Sequence, residues 1–257
     1  MQIWEKSSTF AVAMRNLPIV TKSLLLANLT MWLLDTILKR YGIELYSLLG
    51  LHYWSASQFH WWQPLTYMFM HGNFSHLFFN MFAVLMFAPV LEGEWGVKKF
   101  LLYYFVCGIG AAIIQEGVWA LRIEHLLATY NAESVMLNYV NQVVTIGASG
   151  AVFGILLAFG WLFPDVPMYI IFVPIPIRAR IFVIIYALIE LFAGIANMSG
   201  DNVAHFAHLG GMLFGLILLL YWKYCGNWHL PKFWKKKGDV DDSKDKDYSD
   251  YHYHRSL

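Results

Sequence analysis

Residues 147–163 read GASGAVFGILLAFGWLF, a run of small and apolar side chains that holds no charged residue. A helix needs about 20 mostly apolar residues to cross a bilayer, and this run is slightly shorter. Gly150 and Gly154 are four residues apart, so they lie on one helix face and let another helix backbone approach closely. The run therefore predicts a short membrane helix that packs tightly through a glycine face.

Five further apolar runs flank this one. The six candidate spans are residues 19–38, 75–91, 100–121, 147–163, 181–198 and 203–222. Of the 257 residues 58% are apolar and 14% are charged, and the mean hydropathy is +0.49, which excludes an ordinary soluble domain. The predicted fold is an all-α polytopic membrane protein with a bundle of six transmembrane helices.

The basic residues are distributed unevenly around these spans. The N-terminal segment holds three, the second-to-third and fourth-to-fifth loops hold two each, and the tail holds eight. The opposite side holds only Lys39, Arg40 and Arg122. Since Lys and Arg accumulate on the cytoplasmic side, both termini are predicted to be cytoplasmic.

This topology predicts three parts. Residues 1–16 are a cytoplasmic N-terminal segment, residues 17–222 are the six-helix core, and residues 223–257 are a cytoplasmic tail, basic at first and then disordered. Within the core, residues 41–74 are rich in Trp, Tyr and His, which favours a loop in the membrane surface. His52, His60 and His71 are then most simply interfacial aromatic residues.

Composition and the chain's start limit the other classes of function. A net charge of +1 gives no reason to expect a nucleic-acid partner. Cys107 and Cys225 lie in or just after apolar runs, so neither a disulfide framework nor a thiolate metal site is supported, and no cofactor is predicted. The first residues lack the order of a signal peptide. The absence of an obvious organelle-targeting segment, with the compact six-helix pattern, favours a bacterial inner membrane.

Polar residues within a membrane span are costly and usually functional. Ser149 and His208 each precede the inner end of their span by fifteen residues, and His76 does so by sixteen. At 1.5 Å per residue, all three lie about 22–24 Å above the inner boundary. They are therefore predicted to share one depth, in the outer half of the bilayer.

A second glycine pair suggests that two of these residues meet. Gly211 and Gly215 are also four residues apart. This pair begins three residues after His208, whereas the pair Gly150 and Gly154 begins one residue after Ser149. If the two glycine faces pack together, the serine hydroxyl comes within reach of an imidazole that can take its proton, as acyl transfer requires.

A third polar pair belongs to the same level. His76 and Asn80 are four residues apart, on one helix face. They could donate to the oxyanion of a tetrahedral intermediate beside the Ser149 N–H, which lies at a helix start.

These motifs resemble those of rhomboid intramembrane serine proteases over about residues 17–222. Gly147-Ala148-Ser149-Gly150 is similar to the nucleophile motif, Ala207-His208-Leu209-Gly210-Gly211 to the histidine helix, and His76-xxx-Asn80 to the oxyanion pair. The resemblance implies a cavity open to the outer face and transmembrane proteins as substrates. It selects His208 as the base, which leaves His205 a supporting polar contact.

The chain departs from the family pattern in two places. Trp61-Trp62-Gln63-Pro64 stands where members often carry Trp-Arg, and Phe153 stands where Tyr is frequent. A Phe can still stack on the histidine ring. No acid is predicted at the level of His208, so packing alone is expected to orient the imidazole. Glu190 is expected to be hydrogen-bonded or protonated within the bundle.

Two other functions stay open. A rhomboid-like pseudoprotease would bind membrane clients without cutting them, although Ser149, His208 and the oxyanion pair are intact. A transport protein would use a metal or proton path. Its residues would be His71, His76, His205, His208 and Glu190. That function predicts metal-dependent activity and leaves the GASG segment unexplained.

Overall fold

The computed structural model describes residues 16–130, 139–170, 173–196 and 204–225. The predicted tail from residue 226 onward and almost all of the N-terminal segment lie outside these ranges. The helices are α1 (Ile19–Lys39), α2 (Leu45–Leu49), α3 (Gln63–Thr66), α4 (Phe74–Tyr130), α5 (Ser149–Leu162), α6 (Ala179–Ala196) and α7 (His205–Tyr224). The strands are β1 (Leu51–His52), β2 (Val144–Thr145), β3 (Pro167–Ile170) and β4 (Val173–Arg178).

The chain doubles back inside α4. Gly96 interrupts its helical backbone with φ 75° and ψ 168°, a conformation that favours glycine. His76 lies beside Gly147, and Ala111 lies beside Gly150. A continuous helix would place residues 76 and 111 about 50 Å apart, so the two arms of α4 must run back along each other.

Within the described residues, three helices are long and apolar enough to cross a membrane. They are Phe74–Thr129, which includes both arms of α4, Ala179–Ala196 and His205–Tyr224. The α5 helix is apolar but shorter. The fold is therefore mostly helical and suited to a membrane, whereas the count of six spans stays a prediction.

The α5 helix is the centre of the bundle. Most of its side chains are buried, and it packs against α4, α6 and α7. The outer surface is apolar as well. On α6, for example, Ile184, Phe192 and Ile195 are each more than half exposed. A bundle with an apolar exterior as well as an apolar core matches a lipid environment.

The first turn of α1 is capped from α4. The Glu92 carboxylate accepts hydrogen bonds from the N–H of Val20, the N–H of Thr21 and the Thr21 hydroxyl, each at 2.8 Å. The first N–H groups of a helix have no partner within it, and negative charge is favourable there. Glu92 is buried, so it fixes the start of α1 against the middle of α4.

The loop between α1 and α4 is joined to the segment before α5 by backbone hydrogen bonds. The β1 strand pairs with β2 in an antiparallel register that places Leu51 opposite Thr145 and His52 opposite Val144. The Gly147 N–H donates to the Tyr67 carbonyl at 2.9 Å. These bonds satisfy irregular backbone that would otherwise be costly within a membrane.

The prediction that the loop histidines are interfacial is wrong for two of the three. His52 and His71 are 4% and 2% exposed, whereas His60 is partly exposed and stacks on Trp62. Burial lowers the pKa of His52, and burial with the neighbouring His76 lowers that of His71 to about 3. Both rings are therefore neutral near pH 7.

Gln63 lies against His52 and is itself buried. Its side chain is fully buried and accepts the His52 N–H at 3.2 Å. Its amide donates to the carbonyls of Gln58 at 2.8 Å and Leu48 at 3.3 Å. Gln63, which departs from the family pattern, thus joins three positions of the loop by hydrogen bonds from one buried side chain.

Replacing Glu92 with Gln should destabilise the bundle. The amide keeps the volume but has only one acceptor oxygen, and losing hydrogen bonds to a charged group costs about 2 kcal/mol. In a chain of this size that is about 4–8 °C in the midpoint of thermal unfolding in detergent. Glu124→Gln, an exposed carboxylate on the same helix, is the control. Equal midpoints for the two variants would contradict the capping role.

Candidate active site

Ser149 and His208 meet at the starts of two helices. Ser149 is the first residue of α5, and His208 lies in the first turn of α7. The Ser149 Oγ and the His208 Nε2 are 2.8 Å apart, a hydrogen-bond distance. His208 is buried and Ser149 is partly exposed. The pair is therefore in place for proton transfer from hydroxyl to imidazole.

The two glycine faces meet, as their spacing predicts. A side chain at Gly211 would overlap the carbonyl of Gly150. A Cβ at Gly154 would lie 3.3 Å from the Gly211 carbonyl oxygen. The backbones of α5 and α7 thus touch one residue beyond Ser149 and three residues beyond His208, which brings both side chains within reach.

Gly147 makes room for His76 beside the serine. Its φ of 128° is one that side-chain-bearing residues rarely adopt. A Cβ at Gly147 would also lie 2.7 Å from the His76 Nε2. The His76 ring therefore occupies the space that any other residue at position 147 would fill.

Asn80 lies one helical turn beyond His76 and is buried, whereas His76 is partly exposed. Its amide nitrogen donates to the His76 carbonyl at 2.9 Å. As the first residue of α5, Ser149 has an N–H without a partner inside the helix. The donors predicted for an oxyanion thus lie on the first arm of α4, before Gly96, and on α5, with the Asn80 amide held by its own helix.

Phe153 stacks on the imidazole, as predicted. The ring centroids of Phe153 and His208 are 4.4 Å apart, and the rings are within 10° of parallel. The missing phenol hydroxyl does not prevent this contact. One face of the base is therefore covered by an apolar ring.

The prediction that no acid lies near His208 is wrong. The Glu190 Oε2 is 2.8 Å from the His208 Nδ1 and 2.7 Å from the His205 Nδ1. Glu190 is 7% exposed and is hydrogen-bonded within the bundle. This is one of the two states expected for it. The imidazole is thus held by a carboxylate as well as by packing. His205 contacts this carboxylate, in keeping with a supporting position.

These three side chains could also hold a metal ion, since one ligand atom from each lies within 4.8 Å of the others. The separations distinguish the two interpretations. Zinc bonds of 2.0–2.1 Å in a tetrahedron place neighbouring ligand atoms about 3.3 Å apart. The observed 2.7 Å and 2.8 Å are hydrogen-bond distances. The arrangement therefore fits a hydrogen-bonded carboxylate better than a metal centre.

Comparisons with known proteins agree with this geometry. A family model described as a rhomboid domain matches residues 58–224. The chain is 32% identical over 158 residues to "Putative rhomboid protease YdcA" of Bacillus subtilis, covering 62% of this chain and 65% of that protein. It is 30% identical over 166 residues to rhomboid protease AarA of Providencia stuartii, covering 62% of this chain and 54% of that protein.

A third relative comes from a plant and is named rhomboid-like, whereas the first two are bacterial and named rhomboid protease. Rhomboid-like protein 11, a chloroplastic protein of Arabidopsis thaliana, is 29% identical over 234 residues, which cover 86% of this chain and 69% of that protein. The matched regions thus span between about half and two thirds of the length of these relatives.

Replacing Gly211 with Ala should separate α5 from α7. The added methyl group meets the Gly150 carbonyl, and a displacement of about 1 Å can cost up to 10²-fold in rate. We expect reaction of Ser149 with a fluorophosphonate probe to slow by at least about tenfold. Gly117→Ala is the control, because a Cβ at Gly117 meets open space. Equal labelling rates would show that the glycine contact does not set the site.

Proposed function

Because the chain belongs to the rhomboid family, we propose that it is an intramembrane serine endopeptidase. It hydrolyses peptide bonds in or near the transmembrane helices of other membrane proteins, with Ser149 as nucleophile and His208 as base. The observation that carries the proposal is the 2.8 Å contact between the Ser149 Oγ and the His208 Nε2. Two relatives bear the words rhomboid protease in their names, which supports the same reaction.

The proposed reaction proceeds in two halves. His208 Nε2 takes the Ser149 proton while Oγ forms a bond to the scissile carbonyl carbon, whose oxygen becomes an oxyanion. His208 then returns that proton to the departing amine as the C–N bond breaks, which leaves an acyl-serine. A water molecule, deprotonated by His208, attacks the ester carbonyl and restores the Ser149 hydroxyl.

The oxyanion is stabilised by three donors in this proposal. The Ser149 N–H is available at the helix start, and the His76 Nε2 lies beside Gly147. The Asn80 amide turns from the His76 carbonyl toward the new charge when it forms. Charge that develops in a site shielded from water is stabilised strongly by such donors.

The substrate must supply an accessible carbonyl. Within a helix each carbonyl is hydrogen-bonded and each peptide bond is shielded, so a substrate helix has to unwind locally. We therefore propose substrates whose spans carry small or helix-breaking residues near the outer end. Ser149 is partly exposed at the start of α5, and in this proposal water reaches it there.

We also propose the finer topology. Six spans cross the membrane, the two arms of α4 provide the second and third, and the short α5 is the fourth. The core is residues 17–222, both termini are cytoplasmic, and the site opens to the outer face of a bacterial inner membrane. The uneven distribution of Lys and Arg supports this orientation.

The alternative is a pseudoprotease that binds membrane clients without cutting them. One relative is named rhomboid-like rather than protease. The serine, the histidine and the hydrogen bond between them favour the protease over this alternative.

Replacing Ser149 with Ala, or His208 with Ala, should reduce cleavage of a model transmembrane substrate by about 10³-fold or more, because residues of one catalytic unit fail together. Purified protein in detergent, labelled by a fluorophosphonate probe, provides the second readout. Ser23→Ala and His125→Ala are matched controls, since both residues are exposed and far from the site in sequence. Cleavage or labelling that persists in Ser149→Ala would exclude Ser149 as nucleophile. An unlabelled and inactive wild type would favour the pseudoprotease.

The native cysteines test the orientation. Cys225 is exposed at the end of α7, whereas Cys107 is buried. In bacterial spheroplasts, a membrane-impermeant maleimide should label Cys225 only after the membrane is opened. A Tyr41→Cys, Cys225→Ser variant should be labelled in intact spheroplasts, because Tyr41 is 77% exposed in the loop after α1. The reverse pattern would contradict cytoplasmic termini.

A further inference from the structure

We propose that Glu190 is a positioning residue for His208. Its carboxylate holds the imidazole as the tautomer whose Nε2 can accept the serine proton, and it stabilises the imidazolium that results. The inference rests on the proposed function, since it assigns His208 the role of base.

The tautomer follows from the two contacts of the ring. A neutral imidazole donates through one nitrogen and accepts through the other. An ionised carboxylate only accepts, so the Nδ1 facing Glu190 at 2.8 Å must carry the hydrogen. The Nε2 then bears the lone pair and accepts from the Ser149 hydroxyl at 2.8 Å. This is the tautomer that a general base requires.

The second histidine indicates that the carboxylate is ionised. One oxygen of Glu190, Oε2, faces the Nδ1 atoms of both His205 and His208. An ionised oxygen can accept from both rings at once. A protonated carboxyl group at that oxygen could donate to only one of them. Were that ring His208, its own hydrogen would have to lie on Nε2, which then could not accept the serine proton. Two donors also compensate in part for the cost of burying the charge.

Close packing of α6 on α7 makes the contact possible. Gly194 lies one turn after Glu190, on the same face of α6. A Cβ at Gly194 would lie 3.2 Å from the His205 Cβ and 3.0 Å from the Phe206 ring. The helices therefore approach closely at this turn, and the Glu190 side chain reaches the His208 ring from the side opposite Ser149.

The ring is thus held on three sides. Glu190 contacts Nδ1, Phe153 covers one face, and Ser149 contacts Nε2. Stacking fixes the plane of a ring, but it does not determine which nitrogen carries the hydrogen. The carboxylate determines which nitrogen carries the hydrogen, because it accepts a hydrogen bond from Nδ1. Packing alone could not determine it.

Two substitutions separate charge from shape. Glu190→Gln keeps an acceptor oxygen and loses the charge, whereas Glu190→Leu loses both. We expect kcat for the transmembrane substrate to fall by about tenfold or more in Glu190→Gln and further in Glu190→Leu, with KM within about twofold, because the lost interaction acts on the base and strengthens when His208 becomes charged, without contacting the substrate. Labelling by the fluorophosphonate probe should slow in the same order.

The matched control is Glu116→Gln on α4. Glu116 accepts the Trp54 N–H at 3.1 Å, and the amide oxygen of Gln can accept the same hydrogen bond, so the variant should keep kcat and thermal stability close to those of the wild type. Wild-type kcat in Glu190→Leu would overturn the positioning role and leave the protease assignment standing. Labelling that persists in Ser149→Ala overturns the proposed function instead, so the two failures are distinguishable. Loss of wild-type activity with EDTA would assign Glu190 to a metal site and overturn the proposal.

A measurement without any change at Glu190 covers the case in which its variants fail to fold. Histidine labelled with ¹⁵N in the ring reports which nitrogen is protonated, and His208→Gln identifies the signals of His208. We expect the neutral His208 ring to carry its hydrogen on Nδ1, both in the wild type and in Ser149→Ala. A hydrogen on Nε2 in the wild type would overturn the proposal.

Discussion

The backbone contact between Gly150 and Gly211 is the constraint on which the site depends. Lipid tails are as apolar as the helices they surround, so helices in a membrane gain little from the hydrophobic effect when they associate. Dispersion contacts and hydrogen bonds must hold them together, and both require close approach. With no side chain between them, α5 and α7 meet at their carbonyls. Ser149 and His208 lie within one turn of that contact, so the geometry that makes the bundle stable also sets the distance between hydroxyl and imidazole.

The sequence predicted this half of the site because it depends only on regular helix geometry. Rise per residue and a four-residue glycine spacing are enough to place Ser149 and His208 at one depth and on facing surfaces. The contact between Glu190 and His208 was not predicted, for the same reason. Counted from residue 181, the inner end of its span, Glu190 lies about 14 Å up, below the level of the serine. Its side chain spans the difference. The face that α6 turns toward α7 depends on the contact at Gly194. Counting residues from the inner end of a span gives the depth of a side chain but not the rotation of its helix about the helix axis.

The loop before α4 shows a second limit of prediction from the sequence. Its aromatic composition predicted a loop in the membrane surface, but composition says little about burial. The residues that bury His52 are Gln63, eleven positions later, and the β2 strand, whose Val144 is more than ninety positions away. A pairing of two residues with two others is too short to produce an alternating pattern. The loop and the nucleophile segment therefore share one small folded unit that becomes visible only in three dimensions.

The Glu92 carboxylate has a consequence for biosynthesis. A chain emerges from the ribosome in order, and α1 is complete some fifty residues before Glu92 has been made. Until then, the N–H groups of Val20 and Thr21 have only water or lipid headgroups as partners. The first turn of α1 is therefore capped only once the arm of α4 that carries Glu92 packs against it. A chain that stopped between the two segments would leave the first turn of α1 without its buried carboxylate cap.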